Sequence, residues 1–242
     1  MKRALITGST KGIGRAIGLE LLSRGCAVAF NYAKDEGSAQ RLRDELDGLG
    51  YQSRFQIIQA DLSRLDGIET LLSGLNAKFE SLDYLILNTA VTWRATLQEL
   101  RPEEWERVLN TNLTVPLFLT QACAPRVSAE GCVLFTGAVM GQYPHTLSIP
   151  YGTSKAAVHY LARSLVKEFA PQKVRVNCLC PGFVETPWQT QKPPEIRQSI
   201  EGKIALHRFA DPAEIAPMAV AILENPYING ALVNIDGGYC YQ

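Results

Sequence analysis

A tyrosine and a lysine lie four residues apart in the segment Tyr151-Gly152-Thr153-Ser154-Lys155. This spacing puts both side chains on one face of a helix, where they can act on the same substrate. A phenol with a pKa of about 10 exchanges protons poorly at neutral pH, but a nearby cation favours the phenolate and lowers that pKa. The pair therefore predicts proton transfer, with Tyr151 as the acid and Lys155 as the residue that lowers the pKa of the phenol. The alternative is a chance pair, because such pairs also occur on amphipathic helices without a function.

A glycine-rich turn near the start of the chain offers a site for an anion. The turn follows an apolar run, enters a helix-like segment, and contains Gly8, Ser9, Thr10, Lys11, Gly12, Ile13 and Gly14. Glycines let the backbone approach a pyrophosphate, and the free amides and dipole at the start of a helix attract its charge. We therefore expect a dinucleotide here; the alternative is that the glycines only tighten a strand-to-helix turn.

The charge of the residues at the end of the second apolar run helps to distinguish NAD from NADP. An acidic residue there would accept hydrogen bonds from the ribose of NAD, whereas the 2′-phosphate of NADP needs cations. Residues 31–34 read NYAK, and the first carboxylate comes only at Asp35. Lys34 and Lys11 could bind a 2′-phosphate, so NADP(H) is favoured over NAD(H). The alternative is that both lysines are solvated surface residues.

Short apolar runs alternate with helix-like segments along the chain. The runs predict seven strands, at residues 4–7, 27–32, 55–60, 84–87, 132–136, 174–179 and 232–235. Apolar residues at three-to-four spacing predict helices at residues 13–24, 38–49, 68–79, 102–121 and 151–169. Nearly continuous apolar runs are typical of parallel strands covered on both faces. The pattern predicts an α/β fold: a Rossmann-type, doubly wound parallel sheet of seven strands with helices on both faces.

A proline-rich break, PWQTQKPP at residues 187–194, interrupts this regular pattern. We expect a mobile substrate flap over about residues 187–206, because such breaks connect elements without a regular backbone of their own. Trp188 in this segment and Trp93 in another predicted loop are candidates to line the pocket. The alternative for both tryptophans is structural packing.

The glycine turn and the Tyr–Lys pair resemble those of the short-chain dehydrogenase/reductase family. Residues 7–14 resemble the family's T-G-x-x-x-G-I-G turn, and Tyr151 and Lys155 resemble its catalytic pair. The resemblance covers essentially the whole chain, and residues 31–34 and 206–215 look most like β-ketoacyl-[acyl-carrier-protein] reductases. It implies an NADPH-dependent carbonyl reductase or alcohol dehydrogenase, with a 3-oxoacyl thioester as the first substrate. The alternatives are a reductase of sugar, steroid or polyketide ketones, or a catalytically weakened cofactor-binding homologue.

The resemblance extends to further site residues. Asn112 resembles the family's helix asparagine, which holds a water in a proton relay behind the lysine; a residue that only caps or kinks the helix is the alternative. Asp61 and Leu62 resemble the pair that contacts the adenine, although Asp61 could instead be a helix N-cap. The turn that holds the nicotinamide is matched by Pro181, Gly182, Val184 and Thr186.

The chain departs from the family pattern at two places. Where the family has N-N-A-G, residues 87–90 read LNTA; only Asn88 matches, and Ala90 adds a methyl group beside the expected cofactor ribose. The second departure is Ala138, which occupies the position of the family's catalytic serine, thirteen residues before the tyrosine. Losing one such hydrogen-bond donor lowers a rate by about 100- to 1000-fold.

A substitute hydroxyl is available in the neighbouring sequence. Thr136 is expected on the same face of its strand as Ala138. Thr146 and Ser148 follow in the next loop and are the preferred candidates, because a loop can swing a side chain into the site.

Composition excludes several other classes of protein. The chain has 24 Lys and Arg against 24 Asp and Glu, with no long basic run, so no nucleic-acid partner is predicted. Its N-terminal apolar stretch is too short for a signal peptide, which predicts a cytoplasmic protein without a membrane partner. At 242 residues and 46% hydrophobic residues, a single domain over residues 1–242 is expected, acting on a small molecule.

The six cysteines are scattered and are expected to be reduced thiols in the core. Cys178 and Cys180 form a C-x-C that could be a metal or redox pair. The simpler interpretation is that two residues at this spacing face one side of a strand, so no metal site is predicted.

The family resemblance implies a homotetramer or homodimer formed through the helices at residues 102–121 and 151–169. Aromatic residues on these helices, namely Trp105, Phe118, Tyr160 and Phe169, could equally belong to the core of one chain.

Overall fold

The computed structural model describes residues 1–144, 148–190 and 192–241. Among these residues, seven strands form one sheet in the order β3-β2-β1-β4-β5-β6-β7, and every neighbouring pair is parallel. The strands are β1 Arg3–Ile6, β2 Ala27–Tyr32, β3 Phe55–Gln59, β4 Leu82–Leu87, β5 Val127–Thr136, β6 Arg175–Pro181 and β7 Leu232–Ile235. The strand order reverses between β1 and β4, which is where ligands bind in doubly wound sheets.

Eight α-helices are present in the described part of the chain. They are α1 Gly12–Ser23, α2 Glu36–Gly48, α3 Asp66–Gly74, α4 Pro102–Leu109, α5 Val115–Cys123, α6 Ile149–Phe169, α7 Pro194–Glu201 and α8 Pro212–Glu224. A π-helical turn, Asn110–Thr114, joins α4 to α5. Short 3₁₀ turns occupy Ala77–Phe79, Ala124–Arg126, Val139–Gly141, Ala170–Gln172 and Tyr239–Tyr241. No helix in the described ranges combines the length and apolar character that crossing a membrane requires.

The sheet is buried on both faces because successive residues of a strand point to opposite sides. In β1, Ala4 and Ile6 pack with α1, α2 and α8 on one face. Leu5 between them packs on the other face, in the cluster that includes residues of α3, α5 and α6. Both faces therefore select apolar residues, which explains the continuous apolar runs and confirms the predicted fold class.

The helix predictions differ from the structure in four places. The predicted helix at 68–79 ends at Gly74, and a π-helical turn interrupts the one at 102–121. The sequence also missed α7, which lies in the expected flap, and α8. Both helices were missed because they begin with prolines and α8 also contains Pro217, and proline in a sequence usually indicates the end of a helix. The mobility of the flap stays a prediction.

Gly18 of α1 lets this helix approach the sheet closely. A Cβ atom at this position would lie 2.2 Å from Cε1 of the buried Phe30. We therefore expect Gly18→Ala to lower the free energy of unfolding by about 1–3 kcal/mol, measured by urea denaturation. Gly48→Ala, where no atom lies within 4 Å of the added methyl group, is the control and should change stability by less than about 1 kcal/mol. Equal stability of both variants would contradict this close packing.

Candidate active site

The glycine turn connects β1 to α1 at the carboxyl end of the sheet. Gly8 and Gly12 have φ values of +56° and +60°, a backbone region that favours glycine. The Gly8 amide donates to Oδ1 of Asn31 at 3.1 Å, and the Asn88 side chain donates to the Gly8 carbonyl at 2.9 Å. A Cβ atom at Gly8 would lie 2.8 Å from Oγ1 of Thr89. Neighbouring strands therefore hold the turn in a form that a larger residue would disturb.

A cleft of about 470 Å³ opens beside this turn, within the range of small-molecule sites. It brings together most residues predicted to bind a dinucleotide: Gly8, Thr10, Lys11, Gly12, Ile13, Lys34, Asp61, Leu62, Asn88, Tyr151, Lys155, Pro181, Gly182, Val184 and Thr186. These residues come from distant parts of the chain and meet because the carboxyl ends of parallel strands share one edge.

Ser9 and Gly14, also predicted to bind the dinucleotide, are exceptions and require a correction. The buried Ser9 hydroxyl donates to the Ile6 carbonyl at 2.7 Å and accepts from the Asn31 amide at 3.0 Å. A Cβ atom at Gly14 would lie 2.6 Å from Nδ2 of Asn88. Both residues lie behind the cleft, where Ser9 ties β1 to β2 and Gly14 allows close packing of α1.

Tyr151 and Lys155 lie on consecutive turns of α6 and both face the cleft. Tyr151 is half-buried, whereas Lys155 is buried and donates from Nζ to the Thr136 carbonyl at 2.6 Å. The lysine nitrogen lies 5.6 Å from the centre of the tyrosine ring. The sequence therefore placed the pair correctly on one helical face.

The electrostatics of this pair differ from the expectation. Burial raises the pKa of Tyr151 above its usual value, with a smaller contribution from Cys180. Burial lowers the pKa of Lys155 to about 8, which Cys178 and Cys180 offset in part. The predicted lowering of the phenol pKa by the lysine is not found, because the ammonium group is directed to the Thr136 carbonyl. The phenol is thus protonated at neutral pH.

Asn112 lies in the π-helical turn between α4 and α5, a feature frequent at functional sites. Its Oδ1 accepts from the Val91 amide at 2.8 Å, and its Nδ2 donates to the Val91 carbonyl at 2.9 Å and to Ser154 Oγ at 3.0 Å. The Ser154 hydroxyl in turn donates to the Tyr151 carbonyl at 2.7 Å. The Asn112 side chain thus fixes the start of α6 against the loop after β4, and the water relay stays a prediction.

Ala138 lines the cleft, where the family's serine was expected. Of the substitute hydroxyl groups, Thr136 also lines the cleft, and its Oγ1 lies 3.4 Å from Oδ1 of Asn88. Ser148 is the residue before α6 and does not line the cleft. Thr146 lies outside the described residues. Thr136 is therefore the substitute hydroxyl that the described residues place in the cleft, and its part in the reaction stays a prediction.

Three polar groups of the cleft were missed by the sequence analysis. Thr89 Oγ1, Thr111 Oγ1 and Gln189 Oε1 are buried and have no hydrogen-bond partner in the described part of the chain. Buried polar atoms are normally paired, so unpaired ones facing a cleft suit a polar ligand. Trp188 also lines the cleft, with its ring edge-on to Tyr151 at 6.0 Å between centres. Of these four residues, only Trp188 was predicted from the sequence to line the pocket.

The two lysines expected at a 2′-phosphate are present but paired. Lys11 Nζ lies 2.7 Å from Asp35, and Lys34 Nζ lies 3.6 Å from Asp61. The Lys11 and Ser38 hydrogen bonds hold the pKa of Asp35 well below its usual range. Such exposed pairs contribute little free energy, so a phosphate can replace the carboxylate partners.

The carboxylates beside these lysines cap local structure. Asp35 accepts from the Ser38 amide at 3.0 Å and so caps α2. Asp61 accepts from the Ser63 amide at 3.0 Å, and the N-cap position of α3 belongs to Leu65, so the helix-cap alternative for Asp61 is wrong. Arg41 of α2, which was not predicted from the sequence, donates to Ser38 Oγ at 2.9 Å and places a third cation near Asp35.

Cys178 and Cys180 face the same side of β6, as their spacing predicts, with Sγ atoms 3.8 Å apart. All six cysteines are free. Cys180 Sγ also lies 3.3 Å from Nε2 of His159 in α6. The hydrogen bond with Cys178, together with His159, lowers the pKa of Cys180 below its usual value.

Comparison with known proteins places this architecture in a family. The model of the family described as short chain dehydrogenase matches residues 2–197. The chain is 30% identical to the 3-oxoacyl-[acyl-carrier-protein] reductase FabG of Thermotoga maritima over 241 residues, which cover 98% of this chain and 97% of the relative. It is 29% identical to the reductase of the same name from Staphylococcus aureus, with the same coverage.

Solved structures agree with this assignment. The angucycline C-6 ketoreductase LanV with bound NADP superposes with a TM-score of 0.94 at 25% identity, covering 100% of this chain and 96% of that one. A short-chain dehydrogenase from Burkholderia cenocepacia in complex with NADP gives 0.92 at 26% identity, covering 99% and 98%. The protein thus belongs to the short-chain dehydrogenase family and is an NAD(P)-dependent oxidoreductase that acts on carbonyl and hydroxyl groups.

Proposed function

We propose that the protein is an NADPH-dependent carbonyl reductase whose first substrate class is 3-oxoacyl thioesters. The observation that carries this proposal is the presence of Tyr151 and Lys155 in the same cleft as the glycine turn. The names of the relatives from T. maritima and S. aureus support the substrate class. The NADP named in the two structural neighbours supports the cofactor.

The cleft has the groups that NADPH needs. The turn at residues 8–13 would hold the pyrophosphate, Asp61 and Leu62 the adenine, and residues 181–186 the nicotinamide. The unpaired Thr89 and Gln189 side-chain oxygens can form hydrogen bonds with the polar groups of such a ligand. When bound, the cofactor supplies a hydride to the carbonyl carbon of the substrate.

The protein's own part in the reaction is to hold and deliver a proton. Tyr151 donates its phenolic proton to the carbonyl oxygen, and its raised pKa keeps that proton in place at neutral pH. Lys155, anchored on the Thr136 carbonyl, places a positive charge near the phenolate that results. Asn112 is a positioning residue, because it holds α6 through Ser154.

A second substrate class is an aromatic polyketide ketone. Trp188 presents its ring to the cleft beside Tyr151, a surface suited to a flat, apolar substrate. The likeness to the ketoreductase LanV supports this alternative.

The test follows NADPH absorbance in the presence of a 3-oxoacyl thioester, an aromatic polyketide ketone, a sugar ketone and a steroid ketone. We expect the highest kcat/KM with the thioester. Highest activity with the polyketide ketone would select the second class. NADPH binding without turnover of any ketone would contradict the reductase proposal and identify a cofactor-binding homologue.

The cofactor preference rests on Lys11 and Lys34. We expect Lys11→Ala and Lys34→Ala each to weaken NADPH binding by about 10-fold, because each removes a charge-assisted contact to a 2′-phosphate, whereas NADH binding should change less than about twofold. Calorimetric titration at low and high salt measures both values, and the NADPH effect should shrink at high salt. Lys167→Ala, an exposed lysine of α6, is the control. Equal losses for both cofactors would contradict a 2′-phosphate contact.

We also propose that the chain is a cytoplasmic homotetramer or homodimer that pairs through two helical segments, α4 with α5 (residues 102–121) and α6 (residues 151–169). Phe118 and Tyr160 on these helices are 41% and 76% exposed, which is more than a core role would leave. Size-exclusion chromatography with light scattering tests this, and a monomer at micromolar concentration would contradict it.

A further inference from the structure

A cluster of three metal-binding side chains lies outside the residues that the proposed reaction uses. Cys178 and Cys180 point to one side of β6, and His159 of α6 packs against them. One nitrogen and two sulfur atoms lie within 4.8 Å of one another, and all three residues are buried. Helix and strand therefore bring together a set that the sequence separates by about twenty positions.

Two of the three distances between the donor atoms are close to those of tetrahedral zinc coordination. With Zn–S bonds of about 2.3 Å and Zn–N bonds of about 2.05 Å, two bound sulfurs are about 3.8 Å apart and a bound sulfur and nitrogen about 3.6 Å apart. In this protein the two sulfurs are 3.8 Å apart, and Cys180 Sγ is 3.3 Å from His159 Nε2. Binding an ion would therefore change these two distances by only a few tenths of an ångström.

Two glycines pack closely against the donor residues. A Cβ atom at Gly137 would lie 2.5 Å from His159 Nε2 and 2.6 Å from Cys178 Sγ, so no larger residue fits beside these donors. A Cβ atom at Gly141 would lie 2.6 Å from Cε1 of the same imidazole, so the ring also packs against this second glycine. The nearest competing contact is a 3.4 Å hydrogen bond from the Ala138 amide to Nε2, which is long and easily replaced.

The geometry points to His159, Cys178 and Cys180 as a site for a thiophilic d10 cation of the Zn²⁺ class. Both cysteines bind as thiolates, and any proton still on a thiol passes to solvent as the divalent ion binds, so the ion and the two thiolates are neutral together, which suits a buried site. Sulfur and imidazole ligands favour such a cation over Mg²⁺ or Ca²⁺, which prefer oxygen. Three protein ligands leave a fourth position for water.

The proposed metal site adjoins the catalytic cleft without being part of it. His159 follows Lys155 by one helical turn, and residues 136–138 separate the two places. The inference does not depend on the proposed substrate or cofactor. Its test uses optical spectra and stoichiometry rather than enzyme activity.

The first experiment titrates Co²⁺ into the reduced, chelator-treated protein and follows thiolate-to-cobalt charge-transfer absorbance. We expect saturation at one Co²⁺ per chain with an intensity typical of two thiolates, and displacement by Zn²⁺ but not by Mg²⁺. No charge-transfer absorbance, or displacement by Mg²⁺, would overturn the proposal. Because this arm uses the natural chain, it does not depend on whether variants fold.

The second experiment assigns the ligands. Cys178→Ala and Cys180→Ala should each weaken Co²⁺ binding by at least about 100-fold and reduce the charge-transfer intensity. Replacing a residue that only contacts a metal ligand already weakens metal binding by up to about 100-fold, and loss of a ligand itself should cost at least as much. Cys123→Ala, which changes an equally buried thiol in α5, should bind Co²⁺ like the natural protein. Thermal melting of the metal-free proteins checks that the variants fold. Unchanged binding in folded Cys178 and Cys180 variants would overturn the proposal.

Discussion

Replacing Tyr151 by phenylalanine is expected to lower kcat by about 10²- to 10⁴-fold, the usual contribution of a positioned general acid. The change removes one oxygen and leaves the ring, whose edge-on contact with Trp188 can persist. NADPH binding should therefore change less than about threefold. Stopped-flow or steady-state measurement of NADPH oxidation with the best substrate of the panel gives kcat, and fluorescence titration gives the cofactor Kd.

Tyr160→Phe is the matched control for this prediction, because it makes the same change at an exposed tyrosine of the same helix. It should keep the natural kcat. If Tyr151→Phe retained more than about a third of the natural kcat, another group would be the proton donor. The cleft would then bind substrate without the chemistry proposed for its phenol.

Replacing Ala138 by serine is expected to raise kcat/KM by about 100- to 1000-fold, the effect of one hydrogen-bond donor to a developing oxyanion. The expectation follows from the position of Ala138, which lines the cleft together with Tyr151. A serine adds a single oxygen, so the neighbouring backbone needs little adjustment. The measurement is kcat/KM for NADPH-dependent reduction of the thioester, with the natural protein assayed in parallel.

Thr136 decides how this result is interpreted. If the Thr136 hydroxyl already replaces the missing serine, Thr136→Val should lower the natural activity by about 100-fold, and Ala138→Ser should then give little gain. If Thr136→Val has no effect and Ala138→Ser gives the large gain, the natural protein works without this donor. A serine variant no better than the natural protein, with Thr136→Val also unchanged, would contradict a hydroxyl at either position.

The fold class, and the placement of Tyr151 and Lys155 on one helical face, could be predicted from the amino-acid sequence alone. Apolar runs become strands and the glycine turn precedes a helix because these patterns depend on neighbours along the chain. Tyr151 and Lys155 share a helical face for the same reason, since one turn of helix separates them. The prediction that Ala138 takes the place of a catalytic serine also comes from the sequence, through its spacing to Tyr151.

The neighbours of each functional group could not be predicted, because they come from distant parts of the folded chain. Burial determines the pKa values of Tyr151 and Lys155, and packing places Ser9 behind the cleft rather than in it. The unpaired oxygens of the cleft and the approach of His159 to the two cysteines of β6 likewise arise between distant segments. Sequence patterns report periodicity within one element, whereas desolvation and contacts between elements exist only after the chain folds.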